Sequence, residues 1–200
     1  MAMETYTSLV LFALVASITP GPNNILLMTS GANFGVRRSL PLLFGIIVGF
    51  HLLIGLGGLG AAAILLAYPE ADIAFRVACA LVVTWLAWKL ARSGRTKAGE
   101  VQAKPLGFVQ GLTLQLINAK AWVVAVAASA LFAPGGSYGD VGVLVAVFLL
   151  VNLPSVTLWL VAGRGIERML RKESQLRAFN LVMAALLLGS TLPPLLWPAV

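Results

Sequence analysis

The chain has 200 residues, of which 60% are hydrophobic and 10% are charged, with a mean hydropathy of +0.95. Because a soluble domain carries about 25% charged residues, this composition indicates a protein that lies mostly inside a membrane. The net charge of +7 does not indicate nucleic-acid binding, since the basic residues lie in short connections and no nucleic-acid-binding module is visible. The single cysteine, Cys79, excludes a disulfide or a thiolate metal site within one chain.

Six apolar segments follow one another, each close to the roughly 20 residues that cross a bilayer. We predict an all-α integral membrane protein, a single transmembrane domain over 1–200, with six spans near 6–29, 40–66, 73–90, 106–132, 141–162 and 178–197. The first segment has the apolar core of a signal peptide. However, Glu4 and no lysine or arginine precede that core, so we interpret the segment as a membrane span.

The first span is interrupted by residues that disfavour a helix: Thr19, Pro20, Gly21, Pro22, Asn23 and Asn24. Neither proline has a backbone N–H, and each ring clashes with the carbonyl four residues earlier, so a regular helix cannot pass through. In hydrocarbon the freed carbonyls need partners. Such a break therefore persists only where protein or a water-filled cavity supplies them.

A second interruption lies inside the fourth span, at Gln115, Asn118 and Lys120. Paired interruptions at matching positions of two halves indicate the binding site of a transporter. Because three spans separate the two, the first and fourth spans cross the membrane in opposite directions. We therefore predict two inverted three-helix repeats, 1–92 and 105–200, joined by a cytoplasmic linker at 93–104. Helices 1 and 4 are then interrupted near the midplane.

The basic residues predict the orientation in the membrane. All lysines and arginines except Arg76 and Lys120 lie on or beside connections one, three and five. The positive-inside rule places those connections in the cytoplasm and both termini outside.

Two ionisable side chains lie inside predicted spans. Lys120 is near the middle of the fourth span, where a lysine costs about 2.5–3.5 kcal/mol on the insertion scale. Such a group indicates function, here contact with a substrate carboxylate or proton exchange. The alternative is a structural lysine anchored on the carbonyls of a broken helix. His51, the only histidine, either carries a coupling proton or is a hydrogen-bonded packing residue.

The amides Asn23, Asn24, Gln115 and Asn118 flank the two breaks. Amides donate and accept at once, which suits a zwitterion, and the ends of broken helices favour its two charges. Alternatively, they only satisfy freed backbone groups. All seven carboxylates are assigned to the membrane surfaces, which leaves none to balance a cationic substrate or a metal. This favours a neutral amino acid. A single histidine also argues against a haem or a metal cofactor.

Glycine pairs indicate close helix packing. The spacings Gly45-x-x-x-Gly49 and Gly107-x-x-x-Gly111 allow two helices to approach closely. Packing within the bundle is the simpler interpretation, and a homodimer face is the alternative.

The motifs of the chain resemble those of the LysE/RhtB family of bacterial amino-acid exporters. The resemblance covers essentially the whole chain and is carried by 19–24, the Gly35-x-x-Arg38 turn, 85–89, 114–120 and 179–184. In the family the second break commonly reads Asn-Pro-Lys. Here Ala119 replaces the proline, which leaves open how sharply the fourth helix breaks. Among the branches, the chain is most similar to the cysteine/O-acetylserine exporters, through 20–24, 85–89 and 102–105.

The resemblance implies a secondary transporter that exports a small neutral amino acid across the inner membrane by proton antiport. Cysteine and O-acetylserine are the first candidates, followed by homoserine, threonine and leucine. As a mechanism, the zwitterion would bind at the midplane between the halves, with its carboxylate on Lys120. Asn23, Asn118 and the carbonyls at Thr19 and Pro20 would hold its ammonium. The halves would then rock, with proton exchange at His51 or Lys120.

Other classes of function would require different sequence features. An exporter of basic amino acids or metal ions would need acidic or histidine-rich sequence, and a membrane-embedded enzyme would need clustered catalytic groups. A non-transporting membrane subunit would function without Lys120. The partners that the sequence predicts are an amino acid, protons and the lipid bilayer.

Overall fold

The structure, a computed structural model, describes residues 3–59, 69–92, 104–170 and 172–196. Across these residues it contains eight α-helices and no strand, which confirms the all-α prediction. The helices are α1 (Met3–Ile18), α2 (Pro22–Phe34), α3 (Val36–Gly58), α4 (Pro69–Ala91), α5 (Phe108–Leu116), α6 (Ala119–Phe132), α7 (Tyr138–Met169) and α8 (Glu173–Leu196).

The described residues show two to four membrane spans. Helix α3 and the 138–166 part of α7 are each long and apolar enough to cross a membrane. The bent pairs α1–α2 and α5–α6 meet the same criterion if each pair counts as one span. Helices α4 and α8 occupy the other two predicted segments, and the six-span count stays a prediction. Of the linker predicted at 93–104, residues 93–103 lie outside the described residues. The same is true of 60–66, the end of the second predicted span, and of 67–68 in the connection that follows it.

Several helices extend beyond the segments that the apolar pattern predicted, among them α8, which begins at Glu173 rather than at 178. Helix α2 continues to Phe34, past 29, and α7 continues to Met169, past 162. Hydropathy marks only the part of a helix that lies in hydrocarbon, whereas backbone hydrogen bonds extend a helix beyond it. Helix α2 ends at Gly35, whose φ of 77° lies in the left-handed region that favours glycine, and α3 starts directly afterwards.

Glycines bring α3 and α5 into backbone contact. A Cβ added at Gly45 would lie 2.1 Å from the carbonyl oxygen of Phe108, and one at Gly111 would lie 2.7 Å from that of Leu42. Gly49 packs on Leu112 in the same way. The bundle-packing interpretation is therefore confirmed for these three glycines.

The helix pairs that pack together place the two breaks side by side. Helix α3 packs against α5, α6 and α7, while α7 also packs against α1 and α2, and α4 packs against α8. A core that includes Phe50, Leu144 and Phe148 fills the space beside the breaks. Large apolar side chains such as Leu52 and Leu150 point outward, as lipid contact requires.

Candidate functional site

Both predicted interruptions are present, and they have different causes. The helix axis bends by 51° between α1 and α2 and by 63° between α5 and α6. Pro22 is the first residue of α2, where its missing N–H is not needed. At the second break, Asn118 leaves the helical conformation (φ −91°, ψ 95°), and its side chain caps α6 by accepting from the N–H of Ala121. The fourth span therefore bends more sharply than the first, although Ala119 replaces the family's proline.

The carbonyls freed at the breaks find partners within the protein. The indole N–H of Trp159 donates to the carbonyl of Ile18 at 3.3 Å, and that of Trp122 donates to the carbonyl of Leu116 at 2.9 Å. The Asn24 amide donates to the carbonyl of Ser17 at 2.8 Å and also to that of Thr19. Asn24 thus has the geometry of the alternative in which an amide satisfies freed backbone groups.

Three amides join the two breaks. Asn23 and Gln115 exchange two hydrogen bonds, each 2.9 Å long, and Asn118 donates to the Oδ1 of Asn23 at 3.1 Å. Gln115 and Asn118 are buried. Buried amides that are paired in this way stabilise this arrangement of the two breaks, since separating them would leave several polar groups unsatisfied.

Lys120 reaches from one break to the other. Its Nζ donates to the carbonyl of Thr19 at 2.8 Å, which is the geometry of the anchoring alternative. This carbonyl lies at the negative C-terminal end of α1, which favours a cation. The stem of the lysine passes so close to Gly21 that an added Cβ would lie 2.9 Å from Lys120 Cδ.

A small cavity lies between the breaks. It offers about 30 Å³ to the centres of water-sized molecules, which is room for one or two waters. Six of the nine predicted substrate-binding residues line it: Gly21, Pro22, Asn23, Asn24, Asn118 and Lys120. The other three do not. Thr19 contacts it through Lys120, Gln115 lies behind Asn23, and Pro20 is exposed.

The structure does not bring His51 to this cavity. Its Nδ1 lies 2.6 Å from the carbonyl of Ile47 on the same helix, so this nitrogen carries the proton and donates. The Nε2 is buried without a partner among the described residues. The neighbouring Phe50 lines the cavity instead.

Asn152 is a cavity residue that the sequence analysis did not identify. It lies on α7 and is 5% exposed, and its amide donates to the hydroxyl of Ser17 at 3.2 Å. Its Oδ1 is buried and has no hydrogen-bond partner in the part of the chain described. An amide two residues before Pro154 in an apolar span is a signal that could have identified it.

The cavity holds no metal-ligand set. Across the described residues, no group of three or more His, Cys, Asp and Glu side chains lies close enough together to bind a metal ion. The groups that converge on the cavity are amides, one ammonium and the ends of broken helices.

Comparison with known proteins decides the family. The LysE type translocator family matches residues 14–192. The chain belongs to the LysE family. The match confirms the resemblance of the motifs, and it includes both breaks, His51, Lys120 and Asn152. No solved structure matches this LysE-family chain.

Among its LysE-family relatives are proteins named cysteine/O-acetylserine efflux protein. The one from Escherichia coli O139:H28 (strain E24377A / ETEC) is 33% identical over 180 residues, which are 88% of this chain and 90% of the relative. The one from Escherichia coli strain K12 is 33% identical over 179 residues, with the same shares. The one from Escherichia coli O1:K1 / APEC is 32% identical.

Proposed function

We propose that this LysE-family translocator exports a small neutral amino acid, of the size of cysteine or O-acetylserine, across the bacterial inner membrane. The observation that carries the proposal is Lys120, which reaches from one helix break to the other at a cavity whose described lining contains no carboxylate. Its relatives of similar length are named as efflux proteins for such compounds.

The helix packing supports two inverted repeats. In this arrangement α1, α2, α3 and α4 correspond to α5, α6, α7 and α8. If the two sets are equivalent, each contact made by a helix of one half has a counterpart made by the equivalent helix of the other. The contact between α3 and α5 corresponds to that between α7 and α1, and the contact between α2 and α7 corresponds to that between α6 and α3. All four contacts are present. The α3–α7 and α4–α8 contacts map onto themselves. Such repeats place the substrate site at the interface between the halves.

The substrate carboxylate binds Lys120 in competition with the Thr19 carbonyl. Thr19 also accepts from Asn24 at 3.0 Å, so its carbonyl keeps a hydrogen bond when Lys120 leaves. The N–H groups of Asn23 and Asn24 have no acceptor within the helix, because the first bond of α2 runs from the Ile25 N–H to the Gly21 carbonyl. This end of α2 lies beside Lys120, whose side chain contacts Gly21. Together with the positive end of α2, they favour an anionic group.

The substrate ammonium binds the Oδ1 of Asn152. The side-chain Oδ1 of Asn23 already accepts from Gln115 and Asn118. The backbone carbonyl of Thr19 accepts from Lys120 and Asn24. A buried acceptor without a partner gains a full hydrogen bond from an ammonium, whereas an occupied one only exchanges partners. The neutrality of the substrate follows, because a second cationic group would meet no counter-charge.

Substrate binding requires movement. The cavity offers too little space for an amino acid, so a substrate binds there only if Lys120 and the helix ends around it move apart. Displacement of Lys120 by a carboxylate breaks one of the bonds between the two halves, and rocking then also requires the amides of Asn23, Gln115 and Asn118 to separate. Lys120, which lines the cavity, is then the residue that exchanges the coupling proton rather than His51.

Export by cells tests this function. Cells expressing wild type, Lys120→Ala, Lys172→Ala or an empty vector are compared by mass spectrometry of amino acids in the medium, with membrane levels measured. Wild type and the exposed-lysine control enrich neutral amino acids. Lys120→Ala loses at least about tenfold, since a hydrogen bond to a charged group contributes about 1.5–3 kcal/mol. Export by Lys120→Ala equal to that of wild type would show that this lysine has only a structural role.

A further inference from the structure

A second, larger cavity lies at the other end of α2, away from the breaks. It offers about 290 Å³ and is lined by residues of α2, α3 and α4 and of the segment that leads into α5. Five leucines lie in its wall: Leu26, Leu42, Leu86, Leu90 and Leu106. Neither the sequence motifs nor the proposed transport step uses this space.

The polar side chains in the wall are already hydrogen-bonded. The Thr29 hydroxyl donates to the carbonyl of Ile25 at 2.8 Å, and the Ser30 hydroxyl pairs with that of Ser39 at 2.7 Å. Asn33 exchanges hydrogen bonds with the buried Asn180. The interior therefore presents an apolar surface to an occupant, since its polar groups are bonded to protein.

Three cations, Lys89, Arg92 and Lys104, line the same cavity, and its described lining contains no carboxylate. The Arg92 guanidinium lies 4.6 Å from the ring centre of Trp88, and the Lys89 ammonium lies 5.1 Å from that of Trp85. Stacking on an aromatic ring holds a guanidinium in place and leaves its N–H groups able to bind phosphate.

We propose that this cavity binds one anionic phospholipid. The phosphate lies on Lys89, Arg92 and Lys104, and part of an acyl chain lies on the leucines. Basic pockets between membrane helices bind anionic headgroups in this way. An amino acid fits less well, because its ammonium would face three cations and meet acceptors that are already bonded.

Fluorescence quenching by brominated lipids tests the site, because Trp88 lines it. The purified protein is reconstituted in phosphatidylcholine vesicles and titrated with phosphatidylglycerol or phosphatidylcholine, each carrying brominated acyl chains. We expect brominated phosphatidylglycerol to reach half-maximal quenching of tryptophan fluorescence at a mole fraction at least about fivefold lower than brominated phosphatidylcholine does. Trp88→Phe loses this additional quenching. The proposal fails if the two lipids quench alike in wild type.

Two variants locate the preference at the cavity. Replacing Lys89, Arg92 and Lys104 together by glutamine removes three charges, and we expect the ratio of the two mole fractions to fall to about one. Leu106→Phe keeps every charge but reduces the space between the apolar side chains, and we expect it to reduce the ratio at least twofold. Retention of the full preference by both variants would overturn the proposal.

A matched control separates this site from general surface charge. Arg37, Lys172 and Arg177 are exposed cations that do not line the cavity, and glutamine at all three removes the same total charge. This control keeps the wild-type preference if the cavity is the site, and losing it would contradict the proposal. Competition identifies the occupant: inhibition by millimolar inorganic phosphate would assign the site to a free anion, and inhibition by cysteine would assign it to substrate entry. Either result would overturn the lipid assignment.

Discussion

At the scale of single residues, the bond between Lys120 and Thr19 is the feature on which transport depends in this account. It joins the start of α6 to the end of α1 and lies at the wall of the cavity. Because the Thr19 carbonyl has a second donor in Asn24, losing the lysine leaves no unsatisfied acceptor there. A substrate carboxylate can therefore displace Lys120 from the Thr19 carbonyl without leaving that carbonyl unpaired.

Gly21→Ala tests this geometry without removing the ammonium. The backbone at Gly21 is extended (φ −168°), so alanine adopts it without strain, but its Cβ would lie 3.2 Å from Lys120 Nζ. We expect the displaced lysine to lower export about three- to tenfold, with membrane levels unchanged, because one hydrogen bond contributes about 0.5–1.5 kcal/mol. Gly142→Ala, where nothing lies near the added Cβ, is the control. Full export by Gly21→Ala would show that the position of Lys120 is unimportant.

Asn152→Ala tests the proposed ammonium contact. Removing the unpaired Oδ1 leaves the Lys120 contact in place, so we expect the half-saturating substrate concentration to rise at least about fivefold while the folded protein persists. Uptake into inside-out vesicles over a range of cysteine concentrations measures it. Thr157→Ala on the same helix is the control, since its hydroxyl bonds the carbonyl of Leu153 and does not line the cavity. An unchanged concentration dependence would remove Asn152 from the site.

At the scale of helices, the second break does not depend on proline. Ala119 is the first residue of α6, a position that proline favours, and Asn118 before it already has an extended ψ of 95°. We therefore expect Ala119→Pro to leave export intact and to stabilise the protein by about 0.4–1 kcal/mol through the unfolded chain. Thermal unfolding in detergent measures this. A large loss of stability would mean that the Ala119 N–H has a structural role.

The close packing of α2 on α7 gives a second prediction at this scale. A Cβ at Gly163 would lie 1.9 Å from the carbonyl oxygen of Met28, which is backbone and cannot move alone. We expect Gly163→Ala to lower stability by about 1–3 kcal/mol or more, as overpacking does. Gly165→Ala on the same helix meets nothing within 4 Å and serves as the matched control. Equal unfolding temperatures for the two variants would contradict the helix contact.

The sequence predicted the features that depend on local chemistry. Pro20 and Pro22 located the first break, and the polar residues around Asn118 located the second. Pairings between distant segments were not predictable, because no local pattern encodes that Trp159 of α7 caps the end of α1 or that Asn152 bonds Ser17. The length of α7 was underestimated because hydropathy ends before the helix does.

At the scale of the whole molecule, the proposed transport requires two inverted halves that separate and rejoin around one site. The contact pairs follow the exchange of the halves, and the amide cluster with Lys120 joins them near the breaks. The positive-inside rule predicts that both termini of this arrangement lie outside. Transport in the outward direction would follow when carboxylate binding breaks the contact between Lys120 and Thr19.

The most direct test of the account is exchange by purified protein in liposomes. Liposomes containing wild type or Lys120→Gln are loaded with radiolabelled cysteine or O-acetylserine, and release is followed with and without an imposed proton gradient. We predict that the wild type releases the neutral amino acid faster than empty liposomes and that the gradient accelerates this release. Lys120→Gln loses both effects although it is inserted equally well. Release from wild-type liposomes no faster than from empty ones, for every neutral amino acid tried, would contradict the central claim.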